Sequence, residues 1–408
     1  MNHKITLTAL IVVFLASCAK RPEIPEGENP DGNRTMQDLK ISNTFNFNTD
    51  KVLTLELKAL ANNDAPIPGV RFDVYTDFPK NGGALLLNGA TGPNGVFKTT
   101  QPVPAVISKV VVVTRYIGLP SETEIPVENG KVNHTFGGSS MVLKSGGRGV
   151  LKSSLIDFYY MGTFNSLGVP NYLEPVNEVI DPEFLADINN SFPEYLPINP
   201  DYLNSGFDYD VKLNELSDVW VTFVSEGADF KNTMGYFKYD LSNPPASPSE
   251  IDSGMIIFPN TSYVGSGGGL ETGNKVYLGQ FPAGTGIGFF LKSNAFANGQ
   301  VGNGYYTYYT NPAWNPESDP DQKKHSVTVV DNARQLLLLG FEDLPRDGIS
   351  DDDFNDVMFL VHVTPFTSIS ICNFPIPDYT GDDTDGDGIP DTFDEYPNDP
   401  ERAFNCYY

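Results

Sequence analysis

Positive charge is scarce in this sequence. Lys and Arg number 26 against 52 Asp and Glu, a net charge of −26 over 408 residues. Such a chain repels nucleic-acid phosphates and anionic membrane surfaces and suits cations or basic partners. Long amphipathic stretches are also scarce, while Gly (38) and Pro (32) are plentiful, so turns are frequent and strands are the main expected element. His is rare and scattered, at His3, His134, His325 and His362. GxSxG, HExxH and a Gly-rich phosphate loop are absent, which leaves no recognisable catalytic motif. With 12% aromatic and 40% hydrophobic residues the chain is nevertheless globular, and its length allows two to four domains.

The amino terminus carries an address. Lys4 precedes the apolar run ITLTALIVVFLA, Ile5 to Ala16, which is too short for a permanent bilayer span and reads as an export signal. It closes on Leu15-Ala16-Ser17-Cys18, which resembles the lipobox of bacterial lipoproteins. The resemblance implies a signal peptide over 1–17 and lipid on Cys18, hence a membrane partner through a lipid anchor. An outer-membrane location follows as the expectation, at the cell surface or on the periplasmic face. Residues 18–43, including RPEIPEGENPDGN, are Pro- and Glu-rich and read as a flexible tether.

Alternating strands spaced by turns occupy 44–138, among them FNFNTDKVLTLELKAL, PIPGVRFDVYT and VISKVVVVTRYIGLP, and predict a sandwich. The pattern resembles the prealbumin-like or carboxypeptidase-regulatory-like modules of bacterial surface proteins, which implies a prealbumin/Ig-like spacer. Residues 139–207 read as a linker with one short helix, DPEFLADINNSF, capped by Asp181 with Pro182 in its first turn. Residues 208–365 read as a second β-sandwich, jelly-roll-like, and 366–408 as a short calcium-repeat tail. The fold class is therefore mostly β.

DDTDGDGIPDTFDEYP, Asp382 to Pro397, has seven carboxylates among sixteen residues and no Lys or Arg. A twelve-residue calcium loop draws oxygens from positions 1, 3, 5, 7, 9 and 12 around Gly at 6. Counted from Asp383, these are Asp383, Asp385, Asp387, the carbonyl of Ile389, Asp391 and Asp394, with Gly388 at the turn. Hard oxygen donors without His or thiolate select calcium as the cofactor over zinc or copper. No EF-hand helices flank the loop, and with YPNDP following it resembles a thrombospondin type 3 calcium repeat. TFNSLGVPNYLE, Thr163 to Glu174, aligns with it as a degenerate copy that has lost most of its charge.

A second acidic cluster, EDLPRDGISDDDFND, joins the apolar runs QLLLLGF and VMFLVHV. Carboxylates crowded at a few Å repel by about 1 kcal/mol per pair even in water. The expected calcium ligands are Glu342, Asp343, Asp351, Asp353, Asn355 and Asp356, with Glu226 as an additional candidate. GFEDLPRDGISDDDFNDVMF together with VTFVSEGADFKNTMGYFKY resembles an uncharacterised β domain of bacterial surface proteins. From about 150 onward the chain is similar to the amino-terminal part of LruC-domain lipoproteins. That family continues into the LruC domain, whereas this sequence stops at Tyr408, so functions of that domain are not carried over.

GNGYYTYYTNPAWNP offers Tyr305, Tyr308 and Trp314 as stacking platforms for a glycan. Cys372 and Cys406 bracket the repeat, and as a disulfide would add roughly 3 to 4 kcal/mol by closing the loop. The sequence is thus read as a non-enzymatic, calcium-binding surface lipoprotein for adhesion or assembly, its partner an unknown surface protein or glycan and not nucleic acid. The alternatives are a calcium-dependent glycan-binding module and, third, an exported hydrolase using paired carboxylates.

Overall fold

The computed structural model describes residues 49–138, 158–348 and 350–402. Cys18, its signal, the whole tether and Cys406 lie outside these residues. The described chain is mostly β. In order it runs β1 (Asp50–Leu60), β2 (Arg71–Tyr75), β3 (Leu85–Ala90), β4 (Val96–Pro104), β5 (Lys109–Val113), β6 (Glu122–Pro126), β7 (Lys131–Gly137), β8 (Phe158–Tyr160), α1 (Pro182–Ser191), β9 (Val211–Lys212) and β10 (Ser217–Glu226). It continues with β11 (Thr233–Asp240), β12 (Gly254–Phe258), β13 (Lys275–Phe281), β14 (Thr285–Lys292), β15 (Phe296–Ala297), β16 (Gln300–Val301), β17 (Thr307–Tyr309), β18 (Ser326–Asp331), β19 (Leu336–Phe341) and β20 (Val357–Thr364).

Period-two patterning builds the first sandwich. Along β1, Leu53, Leu55, Leu57 and Ala59 are all fully buried while the residues between them are not, so one face of the strand makes core. β1 is central in a sheet of order β4-β1-β7, antiparallel to β4 and parallel to β7. A second sheet, β3-β2-β5-β6, contributes Phe72, Val74, Val110 and Val112 to the same core.

The second sandwich pairs a five-stranded antiparallel sheet, β13-β10-β20-β19-β18, with a six-stranded one, β17-β14-β11-β12-β8, to which β9 adds by pairing with β14. Their facing sides meet through Val221, Phe223, Leu337, Leu339, Phe359 and Val361 from the first and Met234, Ile287, Phe289 and Leu291 from the second. In β19 every residue is buried, because the other face is covered too. Leu336 and Leu338, with Leu360 of β20, join Phe184, Leu185, Ile188 and Phe192 of the α1 region in the core cluster of the first sandwich. A strand buried on both sides needs no polar alternation.

α1 starts where the sequence places it, with the Asp181 carboxylate accepting from Phe184 N at 2.9 Å and Pro182 at the first position. It lies between the sandwiches: Ile117 N–H donates to Asn189 Oδ1 (2.9 Å) and Gly118 N–H to Ser225 Oγ (3.1 Å). Gly118, at φ 95°, comes so close that a Cβ would stand 2.6 Å from Leu185 Cδ2.

Two expected boundaries need correction. Residues 158–207 are not a linker, since β8 completes the six-stranded sheet beside β12, and Ile180, Ile198 and Tyr202 are core. The second sandwich also does not end at Pro365. Ile369 and Phe374 are buried in its core, and Val330 N–H donates to Pro375 O at 2.8 Å. The degenerate copy at 163–174 is a packed loop in which Asn165 Oδ1 accepts from Leu167 N and Val169 N. That carboxamide serves its own backbone.

Candidate metal centres

β19 and β20 are neighbours with Phe341 opposite Val357, so the fifteen residues from 342 to 356 must fold back over the strand ends. They do so around Phe354, which is fully buried and held at φ 57°. Gly340 admits it, since a Cβ there would sit 2.2 Å from the Phe354 carbonyl oxygen. The fold-back brings Glu342, Asp351 and Asp353 together, one carboxylate oxygen of each within 4.8 Å of the others, with Asp351 exposed and the other two buried. Glu342 accepts from Phe354 N (2.8 Å) and from the Ser350 hydroxyl. Asp353 accepts from Tyr195 N (2.9 Å) and Asn355 N (3.1 Å).

The remaining expected ligands sit beside this cluster. Asp343 accepts from Asn232 Nδ2 at 2.6 Å and Asp356 from Asp343 N at 2.7 Å. Asn355 donates to Phe192 O at 3.4 Å, tying the loop to the end of α1. Glu226 does not join the three-carboxylate group and accepts from Tyr263 N (3.3 Å) and Ser266 Oγ (3.4 Å).

The electrostatics of the loop are under-compensated. Burial, with neighbouring carboxylates adding to it, pushes Glu342 up to about 7 and Asp353 and Asp343 up to about 6. Asp356 is pushed well above its ordinary value. Glu226 and Glu194 are raised to about 8, again by burial first. Arg346, the loop's one cation, is buried over the Phe354 ring at 4.9 Å, where it pairs with Asp352 at 2.7 Å and donates to the Asp321 and Lys324 carbonyls. An oxygen-preferring divalent cation matches this donor set. Glu194 carries no local sequence signal; only the packing of the segment after α1 brings it to a small cavity with Arg115, Glu226 and Asn355.

In the carboxy-terminal loop Gly386 (φ 80°) and Gly388 (φ 94°) wrap the backbone. Asp383 accepts from Gly386 N (2.7 Å) and Gly388 N (2.9 Å), which hold its carboxyl below the usual range. Asp383, Asp385 and Asp387 each place an oxygen within 4.8 Å of the others. Asp387 is raised, by burial first and then by Asp385, Asp394 and Asp383. Asp385 Oδ2 and Asp394 Oδ2 are buried without a hydrogen-bond partner. Orphaned carboxylate oxygens of this kind fit a cation. Asp391 departs from the expected set, since both its oxygens accept from Thr384, at 2.8 and 2.6 Å. Ile389 has its side chain fully buried. Cys372 is disulfide-bonded.

The expected glycan residues do not form one surface. Tyr308 is fully buried and stacked on His325 at 3.6 Å. Trp314 packs on Phe237 and Tyr309 and donates its indole N–H to Ala246 O. Tyr305 is 64% exposed and meets Phe230 edge-on. The sequence also concealed a buried pair, His325 Nε2 to Glu317 Oε1 at 2.8 Å, because its members sit eight residues apart on irregular chain.

Residues 51–136 match a family described as Domain of unknown function (DUF8469), and residues 281–364 another, Domain of unknown function (DUF4114). The second match covers β14, β19, the acidic loop and all of β20. Neither names LruC or thrombospondin repeats. No curated protein matches. Among solved structures, a mutant of the shaft pilin SpaA from Lactobacillus rhamnosus GG is 10% identical, over 60% of this chain and 87% of that one, with a TM-score of 0.17. A variant of BcpA, the major pilin subunit of Bacillus cereus, is 12% identical over 76% and 68%, with a TM-score of 0.19. At these TM-scores the overall arrangements differ.

Proposed function

We propose that this chain is a calcium-binding, non-enzymatic lipoprotein of the outer-membrane surface. Lipid on Cys18 would anchor it, and the first sandwich would carry a calcium-stabilised β domain outward for adhesion or surface assembly. The observation that carries the calcium reading is the orphaned pair of buried oxygens on Asp385 and Asp394 beside the three converging aspartates. The acidic loop supports a second ion through Glu342, Asp351 and Asp353. Calorimetric titration of metal-free protein with calcium tests this. Asp385→Ala with Asp387→Ala is expected to lower the stoichiometry by at least one, and Asp353→Ala with Asp356→Ala to lower it independently. An unchanged stoichiometry in the first double variant would reduce the repeat to a solvated turn.

A second reading, a glycan-binding module, is favoured by one observation. Trp220 and Tyr277 lie side by side at 4.9 Å on neighbouring strands, with Tyr277 39% exposed and Asp218 and Gln280 hydrogen-bonded at their margin. Glycan-array binding abolished by Trp220→Ala would favour it.

A further inference from the structure

The segment that follows the second sandwich is bonded to α1 and to the turn between β18 and β19. Asp378 N–H donates to Ser191 Oγ (3.0 Å), and Asn190 Nδ2 donates to Asp378 O (2.6 Å). Thr380 gives both its N–H (2.7 Å) and its hydroxyl (2.6 Å) to Asp187 Oδ1, and the Tyr379 hydroxyl donates to Asp331 Oδ1 at 2.9 Å. Asp187 and Asp331 are buried, and one guanidinium serves both: Arg334 reaches Asp187 Oδ2 at 2.7 Å and Asp331 Oδ2 at 2.8 Å. The same guanidinium lies over the Phe184 ring of α1 (4.3 Å) and over the Phe393 ring of the repeat (5.1 Å). Phe393 in turn packs on Tyr379 at 5.3 Å.

We propose that the Arg334 surface is a receptor for the carboxy-terminal repeat, and that a calcium ion in the 383–394 loop decides whether Phe393 occupies it. This rests on the calcium reading of the repeat. Phe393 is the residue before Asp394, and both of their N–H groups donate to one carbonyl, Pro390 O, at 2.7 and 3.0 Å. The turn that presents the ring to Arg334 therefore also presents the Asp394 carboxylate to the ion. Without a cation, Asp383, Asp385 and Asp387 repel one another at contact distance, and the buried oxygens of Asp385 and Asp394 draw water, which opens that turn. Asp378 to Thr380 hold α1 through contacts that involve no carboxylate of the loop. The metal-free segment thus stays attached at its base and releases at its tip. Arg334 then keeps its two carboxylates and loses the repeat's ring.

The test uses the full chain, metal-free or in millimolar calcium, with hydrogen–deuterium exchange as the readout and calorimetry beside it. In the wild type, calcium is expected to slow exchange in the loop and also in the Arg334 turn, residues 331–336, by about threefold, the scale of one cation–π contact. In Phe393→Ala the stoichiometry is expected to stay at the wild-type value, with slowing confined to the loop; Phe393→Tyr is expected to restore it in the turn. If the repeat takes calcium and the Arg334 turn does not respond in the wild type, or responds equally in Phe393→Ala, the receptor proposal is overturned while the calcium reading stands. If Asp385→Ala with Asp387→Ala leaves the stoichiometry unchanged, the repeat holds no ion and both fall.

Discussion

The carboxylates around Glu342 sit where ionising them works against the fold. Their ordinary values are 3.8 for Asp and 4.5 for Glu, whereas Asp343 and Asp353 are raised to about 6 and Glu342 to about 7 by burial. Below about pH 4 both folded and unfolded chains hold these protons, and there is no penalty. Between the unfolded and folded values the unfolded chain releases them first, so stability falls as pH rises; above about 7 the penalty is complete. Metal-free protein is therefore expected to melt at a higher temperature at pH 5 than at pH 8. Calcium bound as proposed would compete with the same protons, so its stabilisation of the fold should grow across that interval. Melting curves at both pH values, with calcium and with chelator, check this; a calcium effect that is the same at both would separate these groups from the ion.

At the scale of elements, the acidic loop depends on the close approach of β19 to Phe354. Gly340→Ala places a methyl 2.2 Å from the Phe354 carbonyl and must push the loop off the strand. The expected loss is about 1 to 3 kcal/mol of stability, together with the loop's calcium and not the repeat's, read by denaturant unfolding and by titration. The twelve-residue spacing of Asp383 to Asp394 was legible because the ligands of one loop are close in sequence, as was the α1 start at Asp181 with Pro182. Glu194, Asn232 and the Tyr195 N–H were not, because they reach the acidic loop from segments more than a hundred residues away. Tyr308 was misjudged for a related reason: alternation of YYTYY says that some rings point inward, and only the β14–β17 pairing decides which. The extent of the second sandwich was likewise hidden, since Phe158–Tyr160 pairs as a short edge strand only beside β12, and Ile369 and Phe374 become core only against its sheets.

At the scale of the whole molecule, Cys18 bears on location alone. Cys18→Ser is expected to remove the lipid and shift the protein from membrane to soluble fractions, as fractionation would show; membrane retention of that variant would count against the anchor. A chain anchored in the proposed way would have to withstand tension, and the pairing of β1 with β7 would set the response. The two strands that bound the first sandwich lie parallel through seven residue pairs, from Thr54 beside Lys131 to Leu60 beside Gly137. Pulling the chain ahead of β1 against the chain beyond β7 slides these strands lengthwise, so their hydrogen bonds share the load and rupture together. Pulling instead at Asp50 and Pro104, which face each other at one end of the antiparallel β1–β4 ladder, peels its bonds one at a time. Single-molecule stretching of the full chain is expected to need more force between residues 50 and 137 than between 50 and 104, which would make this module a shear-resistant link between the membrane and whatever the outer domain grips.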